Sequence, residues 1–167
     1  MNWRIENVVA STKLADSFDL DRIAAEFEDA EYNRKKFPGL VYRVKNPKAA
    51  FLVFTSGKVV CMGTKSVEGI RDALHRIQKD FREHGIPTYE NFDISIHNIV
   101  IAGDYHQKVN LESLYERLDA EYEPELFPGL VYRCDRFSMI LFSNGRFVVS
   151  CKDPGRVDEF LKSVVEG

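Results

Sequence analysis

FPGLVYRVKNPKAAFLVFTSGKVVCMGTK, residues 37–65, is the stretch on which the fold turns. Within it, Phe51-Leu52-Val53-Phe54 and Val59-Val60-Cys61-Met62 flank Thr55-Ser56-Gly57-Lys58. Two apolar runs around a short polar connection that contains glycine predict a β-hairpin with a four-residue loop. Side chains alternate between the two faces of a strand. Leu52 and Phe54 therefore share one face with Val60 and Met62, while Phe51, Val53, Val59 and Cys61 share the other. Both faces are apolar, so such a sheet needs a cover on each side. What covers the second side is the question of function.

Working outward, the stretch belongs to a repeat. AEYNRKKFPGLVYR at residues 30–43 recurs as AEYEPELFPGLVYR at residues 120–133, displaced by 90 residues. Glu6-Asn7-Val8-Val9-Ala10 recurs as His97-Asn98-Ile99-Val100-Ile101, and Phe54-Thr55-Ser56-Gly57-Lys58-Val59-Val60 as Phe142-Ser143-Asn144-Gly145-Arg146-Phe147-Val148. Self-similarity in constant order means a tandem duplication, with halves at 1–88 and 89–167. In the first half the patterns predict a strand over residues 3–10, with Trp3, Ile5, Asn7 and Val9 on one face. A short helix over 19–27 follows, then strands over 40–44, 50–54 and 59–62. A longer helix covers 67–84. Ser66 is its N-cap, its stripe is Val67, Ile70, Leu74, Ile77 and Phe81, and Gly85 stops it. The second half repeats this order with strands over 94–101, 130–134, 139–142 and 147–151, and a short helix over 111–118. Asp153-Pro154 opens a last helix carrying Val157, Phe160, Leu161 and Val164. The helices of each half can cover one apolar face of an antiparallel sheet but not both. An uncovered apolar face of that size marks an interaction site.

Composition narrows the partner. Apolar residues make up 44% and charged residues 29% of the chain, the ordinary balance of a globular protein. No apolar run approaches the roughly 20 residues that span a bilayer, and Met1-Asn2-Trp3-Arg4 opens no signal-peptide core. The expectation is an intracellular protein with no membrane partner. Cys61, Cys134 and Cys151 form no CxxC pair and read as small buried apolar side chains, not as ligands or disulfides. The net charge is −3, but it is segregated: residues 34–65 hold eight basic and no acidic side chains. Residues 125–152 hold four basic and two acidic, which leaves 11 basic and 24 acidic elsewhere. A basic surface on an acidic body is the footprint of a polyanion partner. Asn7 and Asn98 would lie near the centre of the apolar face, and a half-apolar, half-amide surface rimmed by Lys and Arg suits a DNA minor groove.

FPGLVYR twice, with Asn-Val-Val or Asn-Ile-Val upstream and a Phe-x-Ser-Gly-Lys hairpin downstream, resembles the TATA-binding protein family over nearly the whole chain. The acidic bulk is similar to that of archaeal members. The resemblance implies an α+β fold, a pseudo-two-fold saddle whose curved antiparallel sheet of ten strands carries helices on its convex face. It implies a factor that recognises A·T-rich promoter elements in the minor groove of double-stranded DNA, bends them and nucleates transcription initiation, in the archaeal cytoplasm with the nucleoid. This family is itself an established case of bending by inserted side chains. By the same resemblance, Phe37, Phe54, Phe127 and Phe142 are the wedges between base steps. Asn7, Val9, Leu52, Val60, Met62, Asn98, Val100, Ile140, Val148 and Ser150 line the groove floor. Arg43, Ser56, Lys58, Arg133, Asn144 and Arg146 hold phosphates. Glu123, Glu125 and Leu126, around Pro124, form the loop offered to transcription factor B. No cofactor, metal or catalysis is implied. Three features depart from the pattern: Met62 stands where the family usually has Thr, although its counterpart Ser150 keeps a hydroxyl; Cys151 replaces a usual Gly; and the hairpin between Arg133 and Phe142 is two residues shorter and lacks the family's Pro-Lys. Weaker or altered base selectivity is expected from these.

Two alternatives stay open at this point. One is a divergent paralogue whose apolar face serves a protein partner, or a homodimer through the concave face when free. The other is an enzyme, for which His97, Asp104 and His106 near a strand end are the best candidates. No Walker A, GxGxxG, HExxH or GxSxG signature supports it, and a histidine beside a strand is more often structural.

Overall fold

The computed structural model describes residues 1–166, and Gly167, the last residue of the expected second repeat, lies outside the described residues. The elements run β1 (Asn2–Lys13), α1 (Leu20–Glu26), β2 (Leu40–Lys45), β3 (Lys48–Val53), β4 (Lys58–Thr64) and α2 (Val67–Glu83). There follow β5 (Ser95–Asp104), α3 (Leu111–Arg117), β6 (Ala120–Glu121), β7 (Leu130–Cys134), β8 (Phe137–Leu141), β9 (Arg146–Cys151), a 3₁₀ turn (Pro154–Arg156) and α4 (Val157–Glu166). The chain divides into two compact units, one of Asn7–His97 and one of Met1–Glu6 with residues 98–166.

In the unit of Asn7–His97 the strands are ordered β2-β3-β4-β1, all antiparallel. The hairpin register sets Leu52 opposite Val60 and Phe51 opposite Cys61, so the two expected faces form. The four residues between β3 and β4 are Phe54–Gly57, one earlier than expected, because the Phe54 N–H donates to the Lys58 carbonyl at 3.0 Å. Phe51, Val53, Val59 and Cys61 are fully buried under α2, whose Ile70, Ala73, Leu74, Ile77 and Phe81 are equally buried. The helix starts where Ser66 Oγ accepts the Gly69 N–H at 2.9 Å, which satisfies one orphan donor of the first turn. Glu68 in the first turn and Arg82 in the last complement its dipole. Val67, expected in the buried stripe, is 42% exposed. A helical side chain leans toward the N-terminus, and at the first position that direction leads off the packed surface. Phe81 anchors an aromatic cluster, with ring centroids 5.5 Å from Phe18 and 5.6 Å from Phe27 and Tyr42. The Tyr42 hydroxyl donates to Asp80 at 2.7 Å, and burial together with that carboxylate pushes the phenol above its ordinary range.

In the other unit the first residues of β1 are followed by β5-β9-β8-β7-β6. Ile99, Ile101, Leu130, Met139, Leu141, Phe147, Val149 and Cys151 form the buried face with Val157, Phe160, Leu161 and Val164 of α4. Phe160 stacks on Tyr132 and Phe137 at 5.9 and 4.6 Å. The Tyr105 hydroxyl donates to the Leu161 carbonyl at 2.6 Å, and Trp3 Nε1 donates to Asp158 at 2.8 Å.

Two expectations are corrected. Nine strands form among the described residues, not ten: Ala120–Glu121 makes β6 on β7, whereas at the matching place only Glu31 bridges Val41. Cys61 and Cys151 are buried as expected, but Cys134 is exposed, because it ends β7 beside the two-residue turn Asp135-Arg136.

Candidate nucleic-acid interface

A turn leads into each Phe-Pro-Gly in the same way. The Phe37 N–H donates to Asn33 O at 3.1 Å, and the Phe127 N–H donates to Glu123 O at 3.0 Å. Large apolar side chains are normally buried, yet Phe37 and Phe127 are 41% and 44% exposed. Each lies edge-on against the second phenylalanine of its unit, Phe37 on Phe54 at 5.9 Å and Phe127 on Phe142 at 6.0 Å. The glycine of each motif makes room for the pair. A Cβ at Gly39 would stand 2.6 Å from the Phe37 ring and 2.9 Å from Phe54; at Gly129 it would stand 2.6 Å from Phe127 and 2.8 Å from Ile140. Neither separation is one that real side chains tolerate.

In the same unit as the first pair, Asn7, Val9, Leu52, Val60 and Met62 are half-buried on the face opposite α2's cover. In the same unit as the second, Asn98, Val100, Ile140, Val148 and Ser150 are half-buried in the same way. Cross-strand pairing brings Leu52 to Val60, Ile140 to Val148, and Val100 to Ser150. The same register adds two residues that the sequence reading missed. Val41 lies opposite Leu52 and Val131 opposite Ile140, both half-buried. The signal was present in FPGLVYR itself, where the leucine is fully buried in both copies and the valine after it must face the other way.

Lys58, Arg43, Arg133 and Arg146 are exposed. Arg43 pairs with Glu31 and Arg133 with Glu121, each at 3.2 Å with both partners largely in solvent. Such pairs are weak, so a phosphate can replace the carboxylate. Ser56 and Asn144 occupy matching turn positions: Ser56 Oγ accepts the Lys58 N–H at 3.4 Å and Asn144 Oδ1 the Arg146 N–H at 3.0 Å. Of the loop residues Glu123, Glu125 and Leu126, all exposed, Leu126 is the extreme at 81%.

The enzyme candidates take structural partners. His97 Nε2 and Ser11 Oγ are hydrogen-bonded at 2.5 Å, and His106 Nε2 meets Asn2 Oδ1 at 2.8 Å. Among the described residues there is no group of three His, Cys, Asp or Glu that could hold a metal, and no helix is long and apolar enough to cross a membrane.

Comparison with known proteins meets this geometry. The family model described as "Transcription factor TFIID (or TATA-binding protein, TBP)" matches residues 2–84 and again 93–166. A TATA-box-binding protein 2 of Methanosarcina mazei is 51% identical, covering 98% of this chain and 90% of its own. The TATA-box-binding protein of Archaeoglobus fulgidus is 46% identical with the same coverage. The solved structure of the Methanococcus jannaschii TBP superimposes with a TM-score of 0.90 at 40% identity, over 99% of this chain and 97% of that one. The family is one of DNA-binding transcription initiation factors and not of enzymes. With the duplicated model match, the relatives and the fold in agreement, this chain belongs to the TATA-binding protein family.

Proposed function

We propose that the chain recognises A·T-rich promoter DNA from the minor groove, bends it by inserting side chains, and thereby nucleates transcription initiation in the archaeal cytoplasm. The observation that carries this is the pair of exposed phenylalanines, Phe37 and Phe127, each held against a second ring over a glycine. An aromatic ring that enters a base step replaces the stacking lost when the step opens, which makes a kink sustainable. The half-buried apolar side chains in the unit of each ring pair suit sugar edges and the groove floor. The amides of Asn7 and Asn98 and the hydroxyl of Ser150 meet base atoms, while Arg43, Lys58, Arg133 and Arg146 meet phosphates with Ser56 and Asn144. The repeats at 1–88 and 89–167 each supply one wedge pair. Leu126 with Glu123 and Glu125 is the docking loop for transcription factor B, and the apolar face is free to mediate a homodimer when no DNA is bound.

Fluorescence anisotropy on A·T-rich and G·C-rich duplexes across a salt series tests the reading. Affinity is expected to favour the A·T-rich duplex and to fall linearly in log–log with salt. Phe37→Ala and Phe127→Ala are expected to lose the bend, read by end-to-end energy transfer, with melting temperature nearly unchanged. Salt-independent binding, or equal affinity for both duplexes, would overturn it. Leu126→Ala is expected to weaken recruitment of transcription factor B to the protein–DNA complex while the anisotropy titration stays the same.

A further inference from the structure

The two central asparagines occupy matching places in the repeat, but their surroundings differ. In the unit of Asn7–His97, β1 pairs with β4 through a shift of register: Val8 lies opposite Thr64 and Ala10 opposite Cys61. The extra residue on β4 falls at Met62-Gly63, and Gly63 takes a left-handed φ of +95°, the backbone of a bulge. That bulge turns the Gly63 N–H toward Asn7, whose Oδ1 accepts it at 2.8 Å. The amide is thereby oriented. One lone pair of its oxygen is held by β4, and its Nδ2 hydrogens, with no partner among the described residues, remain for a ligand; flipping it would set donors against a donor. Met62, beside the bulge, adds no polar atom.

In the other unit Cys151 stands where Gly63 stands in the first. Its side chain is buried, and β9 runs past β5 with no shift, Ile99 opposite Cys151 and Val100 opposite Ser150. No bulge forms, and the Asn98 side chain joins no hydrogen bond among the described residues. Asn98 can present either its oxygen or its nitrogen, and Ser150, half-buried on the same face, can donate or accept.

The minor groove gives these states different meanings. A·T pairs show acceptors only, whereas G·C adds the guanine N2 amino donor. We propose that the chain reads its site unequally: the Asn7 side demands A·T, and the Asn98 side accepts G·C. This rests on the minor-groove function proposed above. An amide fixed with its hydrogens toward the guanine amino group leaves two donors face to face, while a rotatable one turns its oxygen to it.

The test is a binding scan in which each A·T pair of the preferred duplex is replaced in turn by G·C and by I·C. Inosine lacks only the N2 amino group, so it isolates that atom. On one half of the site G·C is expected to weaken binding about tenfold, within the usual penalty for a mismatched pair, and I·C to restore it. On the other half the two replacements are expected to differ by less than about threefold. Asn7→Ala is expected to abolish the difference between G·C and I·C on the strict half, and Asn98→Ala to leave it intact. Asn7→Asp, which still accepts the Gly63 N–H but has no donor, does the same should Asn7→Ala fold poorly. Equal penalties on the two halves, or a strict half that follows Asn98, would overturn the inference while leaving the proposed function standing. Failure to bind any A·T-rich duplex would instead remove the function on which it rests.

Discussion

At the scale of single residues, each Phe-Pro-Gly glycine divides the work of stability from that of recognition. A Cβ at Gly39 would collide with two ring edges, and rings on an exposed face can move aside. Gly39→Ala is therefore expected to cost at most about 1 kcal/mol of stability in urea denaturation but to reduce the induced bend, read by energy transfer. Leu52, Phe54 and Val60 were assignable to one face from alternation alone, whereas Phe37 and Phe127 precede their strands and were marked by the repeated Phe-Pro-Gly. The Asn7–Gly63 hydrogen bond was not, because a bulge is an event of pairing and leaves no period in the sequence. Cys61 supplies a residue-scale prediction in pH. Burial pushes its thiol from the ordinary 9.0 up to about 12, so the fold favours the neutral form. Its contribution is complete below pH 9.0 and drains as pH rises toward 12, because the unfolded chain ionises first. Melting temperature is expected to fall through that window, and Cys61→Ala to make the fall shallower.

At the scale of elements, α2 stabilises its unit in two separable ways. Ile77 is fully buried among the strands, and Ile77→Ala is expected to cost about 2–5 kcal/mol. Ser66→Ala removes the cap on Gly69 and is expected to cost about 1 kcal/mol. Urea denaturation monitored by far-UV circular dichroism checks both, and a cap loss as large as the core loss would contradict this account of the helix. The helices were legible to within a residue or two because apolar period, cap and glycine stop agree. The strand edges were less so. Lys58 and Thr64 extend β4 beyond its apolar run, since ladder hydrogen bonds do not require apolar side chains. Val67 shows the opposite error, in which a periodic apolar residue lies at a helix end and has nothing to cover it.

At the scale of the molecule, charge is what composition revealed and net charge concealed. A protein of net charge −3 is expected to bind DNA with a slope of log affinity on log salt of about −0.9 per phosphate contacted. Arg43→Ala and Arg133→Ala are each expected to reduce that slope by about one contact without changing base preference. An anisotropy salt series checks this, and an unchanged slope would mean that the Glu31 and Glu121 pairs persist on DNA. The duplication was legible because FPGLVYR is repeated without change. Where the repeats differ, at Gly63 and Cys151, the sequence announced a departure but not its geometry.

The chain's one tryptophan, Trp3, is bonded to Asp158 of α4 and belongs with residues 98–166. A ribosome therefore releases the opening residues of the sequence long before the segment they must join has been synthesised. Intrinsic fluorescence thereby reports the moment at which those opening residues meet α4, and severing the polypeptide midway between its repeats would strand that fluorophore on the wrong fragment.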